Sequence, residues 1–339
     1  MTDRLSRLLT ERDWLLADGA TGTNLFNMGL MSGDAPEMWN VDETAKIRAL
    51  YDGAVNSGSD IFLTNSFGGN ASRLKLHNAQ HRVAELNKAA AEIAREAADA
   101  SGRDIVVAGS MGPTGELLVP VGPLTHAAAV EMFEEAGAAL LAGGADVLWV
   151  ETISSEEEMR AAAEACANLN APWCGTMSFD TAGRSMMGVT STNLAIFMNA
   201  LPHAPLAFGA NCGVGASDLL RTMTGMVDAA DGANLIAKGN AGIPKYVEGH
   251  IHYDGTPELM GKYAVLARDL GAKIIGGCCG TMPEHLVAMR KALEETPVGP
   301  KPSLEVIADT LGGFSSASDG TGADADAAPK RERRRRRSE

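Results

Sequence analysis

No run of eighteen or more apolar, uncharged residues occurs in the 339-residue chain, so the sequence predicts no membrane span. The opening residues, MTDRLSRLLTERDW, are charged and lack an apolar leader core, which makes the cytoplasm the expected location. Cysteine is sparse: five residues, an odd number, with no paired CxxC knuckles. That argues against a disulfide framework and against the commonest structural zinc sites, and shifts attention to metal binding at another spacing or to thiol chemistry. Positive charge is also in deficit. A formal net charge of −14 argues against nucleic acid as a partner of the main body. The exception is the end, where Lys330, Arg331 and Arg333 to Arg337 form a basic run behind the small, polar stretch GGFSSASDGTGADADAAPK. Such a stretch has little to bury, so residues 301–339 are expected to form a low-complexity, basic, disordered tail that serves as a solubilising extension. Residues 1–300 are expected to hold the folded domain.

What is present is a recurrence. Eight short apolar runs stand at 14–18, 61–65, 105–110, 147–152, 173–179, 206–212, 234–240 and 273–278. Their hydrophobicity is continuous rather than alternating, as in strands buried on both faces of a parallel sheet. Helical patterns lie between them. Val83, Leu86, Ile93 and Ala97 fall at near-helical spacing, and Thr125 is a suitable N-cap for a helix that ends in Gly143 and Gly144. Eight strand–helix units predict an α/β fold of the (β/α)8 TIM-barrel type, single-domain, with a doubly wound open sheet as the alternative. The runs end on Asp18, Asn65, Ser110, Glu151, Cys212, Asn240 and Cys278. Barrel enzymes place their sites at these C-terminal strand ends, so the polar and thiol residues there are the candidates for chemistry.

Cys212 ends the sixth run in GANCGVG; Cys278 and Cys279 end the eighth in GGCCGT. Neighbouring side chains on a regular strand face opposite ways, so adjacent cysteines can share one ion only where the backbone leaves strand geometry. Gly276, Gly277 and Gly280 permit that departure. Three thiolates suit Zn2+, and three protein ligands leave a fourth position for a substrate. A thiolate-rich zinc favours another thiol there and lowers its pKa, which reads as thiol activation for alkyl transfer, with a redox role as the alternative. Cys166, in an alanine-rich helix, and Cys174, within a strand, read as buried small hydrophobes.

At these residues the chain resembles the homocysteine S-methyltransferase family. The matching pieces are DGATGTNL (18–25), TNSFGGN (64–70), GSMGPTGELL (109–118), ETISS (151–155), NCGVG (211–215), GNAGIP (239–244) and GGCCGTMPEH (276–285). The resemblance implies a (β/α)8 barrel, zinc held by Cys212, Cys278 and Cys279, and homocysteine as methyl acceptor. It further implies that Asp18 and Glu151 hold the acceptor's ammonium, a role two carboxylates suit. Asn240 would fill the fourth zinc position until the thiol displaces it. The glycine-rich turn starting at Gly19 offers backbone N–H groups to the acceptor's carboxylate.

The donor is read from what the donor region lacks. A betaine user needs an aromatic cage around a quaternary ammonium. Here Gly68 and Gly69 follow Phe67, and Trp39 reads as a packing residue. TNSF, GPTGELL, SFDTAGRSMMG and GNAGIP look closer to the homocysteine-binding module of cobalamin-dependent methionine synthase, yet no DxHxxG cobalamin signature is present. The expectation is a free-standing module that takes methyl from methylcobalamin carried by a separate cobalamin-binding protein. The alternatives are betaine or another small methyl donor, and a non-catalytic zinc- and substrate-binding subunit. A phosphate-binding barrel is disfavoured by the scarcity of basic residues near the last two loops.

Overall fold

The computed structural model describes residues 3–180, 182–243, 245–247 and 250–318. Among the described residues are ten strands: β1 (Leu15–Leu16), β2 (Ile61–Leu63), β3 (Val106–Met111), β4 (Val147–Ile153), β5 (Trp173–Met177), β6 (Ala207–Cys212), β7 (Leu235–Gly239), β8 (Lys245–Val247), β9 (His250–His252) and β10 (Ala272–Gly277). Eight of them form one parallel sheet in the order β1-β10-β7-β6-β5-β4-β3-β2. A parallel bridge between Ala17 and Ile61 joins the two ends, and Asp60 N–H donates to Leu16 O at 2.7 Å beside it. The sheet is therefore a (β/α)8 barrel, and each expected run contributes one strand.

Burial explains why the runs read as continuous. Leu15, Ile61, Val106, Val147, Trp149 and Ile236 belong to the cluster that fills the barrel. Their neighbours Leu16, Leu148 and Leu235 pack outward against helices, as do Phe62 and Val107. Both faces of each strand are dry, so no polar alternation survives in the sequence.

The two ends of the barrel differ. The helix Arg4–Glu11 starts on Asp3, whose side chain accepts from Ser6 N–H. It adds Leu5, Leu8 and Leu9 to the interior cluster and so plugs the N-terminal end. Burying each leucine contributes about 1.5–3 kcal/mol. Chemistry is left with the other end.

Two elements were not legible in the sequence. β8 and β9 form an antiparallel hairpin in the loop after β7. A further helix, Leu304–Leu311, lies beyond residue 300 and buries Ile307 and Leu311. Arg221 anchors the chain that follows it, donating to Ser316 O and Ala317 O at 2.7 Å each and lying over the Phe314 ring. Packed structure thus continues past the division expected at residue 300. The basic run of the tail lies outside the described residues.

Candidate active site

The three sulfurs meet. Cys212, Cys278 and Cys279 place their Sγ atoms within 4.8 Å of one another, and Cys212 Sγ lies 3.8 Å from Cys279 Sγ. Four ligands at a Zn–S distance near 2.3 Å in a tetrahedron stand about 3.8 Å apart, so this donor set fits that ion in both chemistry and spacing. Cys166 and Cys174 are fully buried elsewhere, and burial pushes both thiols up.

The backbone shows how adjacent cysteines converge. Cys278 is still held to β7, its N–H donating to Gly239 O at 2.7 Å. The chain then turns, with Thr281 N–H donating back to Cys278 O, and Gly280 adopts φ +77°. A Cβ at Gly280 would stand 2.3 Å from the Tyr253 ring, so only glycine fits both the turn and the aromatic. Cys212 itself has φ +60°, an uncommon conformation for a residue with a side chain. Thr152, next to Glu151, has φ +62°.

Asn211 braces these two strained strand ends. Its Oδ1 accepts from Thr152 N–H at 2.9 Å and from Thr176 Oγ1 at 2.7 Å. Its Nδ2 donates to Thr152 Oγ1 at 2.7 Å and approaches Cys278 Sγ at 3.8 Å. Sequence reading passed over Asn211 as a neighbour of Cys212; a buried asparagine beside a candidate ligand was the available signal.

Asn240 ties the two cysteine loops together. Its Oδ1 accepts from Cys279 N–H at 3.0 Å, and its Nδ2 donates to Gly213 O at 3.0 Å. The oxygen keeps a second lone pair. Gly19 serves close approach: a Cβ there would lie 2.6 Å from Thr281 O. The adjacent Ala20 N–H donates to that same oxygen.

The carboxylates belong to a polar floor that contains an unforeseen cation. Lys238, on β7, is buried, and its Nζ lies 2.5 Å from Asp18 Oδ1. Asp18 Oδ2 accepts from Leu63 N–H at 2.8 Å. Glu151 is buried too, and Ser110 Oγ donates to its Oε1 at 2.5 Å. Burial raises the Glu151 pKa, against the pull of Lys238 and Ser110. Burial by itself would depress the Lys238 ammonium, but Asp18 and Glu151 overturn this and its pKa lies above the ordinary lysine value. Sequence reading missed Lys238 because it lies inside an apolar run.

The thiols carry the opposite problem. Hydrogen bonding with Cys278 lowers the Cys212 thiol, but contact with Cys279 and burial outweigh it and push the group up to about 12. Contact with Cys212 lowers Cys279, yet Cys278 and burial leave it at about 12 as well. Three half-buried thiols at this spacing resist ionising together unless a cation joins them.

One strand-end candidate falls elsewhere: Asn65 is in a buried network with Asn40 and Pro36 O. Trp39 packs, as expected, against the cluster that holds Leu25 and Ile47, with Lys46 Nζ 4.2 Å from its ring centroid.

A (β/α)8 barrel with three thiols and two carboxylates gathered at the strand ends is an enzyme of thiol chemistry in its architecture. The chain belongs to the homocysteine S-methyltransferase family, whose model matches residues 15–293. Among solved structures it is similar to the homocysteine methyltransferase MmuM from Escherichia coli. The metallated form shares 24% identity at a TM-score of 0.69, covering 85% of this chain and 99% of that one. The apo form gives 24% and 0.65, covering 86% and 100%. The oxidized form gives 24% and 0.69, covering 86% and 99%. That likeness is one of fold; the family match is what makes the chain a methyltransferase acting on homocysteine. No helix among the described residues is long and apolar enough to cross a membrane.

Proposed function

We propose that the chain forms methionine from homocysteine with zinc held by Cys212, Cys278 and Cys279. The observation that carries this reading is the convergence of three sulfurs within 4.8 Å at the C-terminal strand ends of a family-matched barrel. Zinc, when bound, supplies the Lewis acidity that keeps the acceptor thiol ionised at neutral pH. The chain's own residues do the rest. Glu151, with Asp18 beside it, receives the acceptor's ammonium, and the turn at Gly19 lines the carboxylate. Asn211 and Asn240 hold the three cysteine positions in register, and Asn240 Oδ1 is the protein oxygen offered at the fourth position before the acceptor arrives. The acceptor sulfur attacks the donor's methyl carbon. The S–C bond forms, the donor's bond to methyl breaks, its electron pair leaves with the donor, and the thiol proton goes to solvent.

For the donor we propose methylcobalamin presented by a separate protein. An aromatic cage has little room: a Cβ at Gly68 would stand 2.9 Å from Glu37 Oε1, and one at Gly69 2.5 Å from Asn87 Oδ1. The Trp39 ring is paired with Lys46. A second reading, a small onium donor, is favoured by one observation. The Tyr253 ring packs on Gly280, beside Cys279. The test is methionine formation by zinc-loaded protein given homocysteine with methylcobalamin, betaine or S-methylmethionine in parallel. Turnover with methylcobalamin or its carrier supports the first reading; turnover with an onium donor alone selects the second. Zinc binding without turnover of any donor selects a non-catalytic subunit.

A further inference from the structure

Lys238 has no part in the reading above, yet it is the cation of the site's floor. Its side chain is 3% exposed, and that of its partner Asp18 is 8% exposed. It projects from β7 at the level where Asn211 of β6 and Gly276 of β10 pair with it, next to the strand ends that carry the thiols. Its ammonium lies 5.8 Å from the Trp149 ring centroid and within the field of Glu151, while its one ion pair among the described residues is with Asp18. Both Asp18 oxygens are already engaged, the second accepting the Leu63 N–H. The floor thus holds two carboxylates and one ammonium, and the carboxylate left without a cation is Glu151.

We propose that Lys238 determines acceptor specificity: by cancelling Asp18 it leaves the floor with one net negative charge, matched to a thiol that carries a single ammonium together with a carboxylate. Without Lys238 the floor would hold two uncompensated negative charges. It would then repel the acceptor's carboxylate and favour a purely cationic thiol. This deepens the acceptor assignment and rests on it.

Three thiols separate the charges: homocysteine, 4-mercaptobutanoate, which lacks the ammonium, and 3-aminopropane-1-thiol, which lacks the carboxylate. Their affinities for the zinc-loaded protein are read by calorimetry, with zinc content measured in each variant. Removing one buried charge changes the relative affinity for an anion and a cation by about tenfold or more. Lys238→Met is therefore expected to shift the preference between the two analogues at least about tenfold towards the aminothiol. Asp18→Asn is expected to shift it the other way. The double variant removes the pair together, restores the net charge and is expected to return the preference close to that of the wild type. If Lys238→Met does not fold, Asp18→Asn and the double variant carry the same comparison. Equal weakening of all three thiols, or an unchanged preference, would overturn the proposal while homocysteine still bound to the wild type. A zinc-loaded wild type that binds no homocysteine would instead overturn the acceptor assignment, and this proposal with it.

Discussion

Two adjacent cysteines bring their sulfurs into one cluster here because the chain turns at the pair. The turn needs Gly280 at φ +77°, in space that the Tyr253 ring closes to any side chain. Each sulfur should therefore matter to the metal. Cys212→Ala, Cys278→Ala and Cys279→Ala are each expected to lose most bound zinc, whereas Cys166→Ala and Cys174→Ala should retain it; metal analysis checks all five. The carboxylates should separate by role. Asp18→Asn removes the partner of a buried ammonium, a change that costs about 3–5 kcal/mol where no other group compensates. It should lower the melting temperature more than Glu151→Gln does. Glu151→Gln should raise KM for homocysteine about tenfold or more with zinc retained, the loss of one charge-assisted contact. Acidity gives a second check. Because burial raises the Glu151 pKa, its charged form disappears, as pH falls, earlier than that of an ordinary glutamate. KM for homocysteine should rise on acidification from a pH above the usual carboxylate range, and Glu151→Gln should lack that inflection. The cysteines were legible because cysteine is rare in the chain and glycine surrounds the pair. Lys238 and Asn211 were not, because their roles come from neighbours on other strands, which local sequence does not display.

At the scale of elements, the barrel strands were legible because burial on both faces leaves an unbroken apolar signature. The hairpin β8–β9 was not: three-residue strands leave too short a pattern. The helix Leu304–Leu311 was masked by the low-complexity stretch that follows it, although Ile307 and Leu311 mark its buried face. This sets where the tail can be cut. Removing residues 319–339 should leave the melting temperature within about 1 °C, since the Arg221 anchors at Ser316 and Ala317 remain. A cut before Leu304 exposes the surface under two buried side chains, a loss of roughly 3–6 kcal/mol. Thermal unfolding should then shift down by roughly 6 °C or more. Equal melting temperatures for the two truncations would show that this helix contributes nothing to the barrel.

At the scale of the whole molecule, the two ends of the barrel divide the work. Leucines of the first helix close one end, and the other end gathers three thiols from β6 and the loop after β10 above a charged floor from β1, β4 and β7. The fold and the acceptor chemistry follow from groups fixed within this one chain. The donor was less legible because the sequence identifies missing aromatics after Phe67 but not what takes their place. The most direct test of the account is X-ray absorption at the zinc edge, before and after homocysteine is added. The account predicts about one zinc per chain with three sulfur neighbours near 2.3 Å, and a fourth sulfur on adding homocysteine. A sulfur count that stays unchanged when homocysteine is bound, or a zinc without the three cysteine sulfurs, would contradict it.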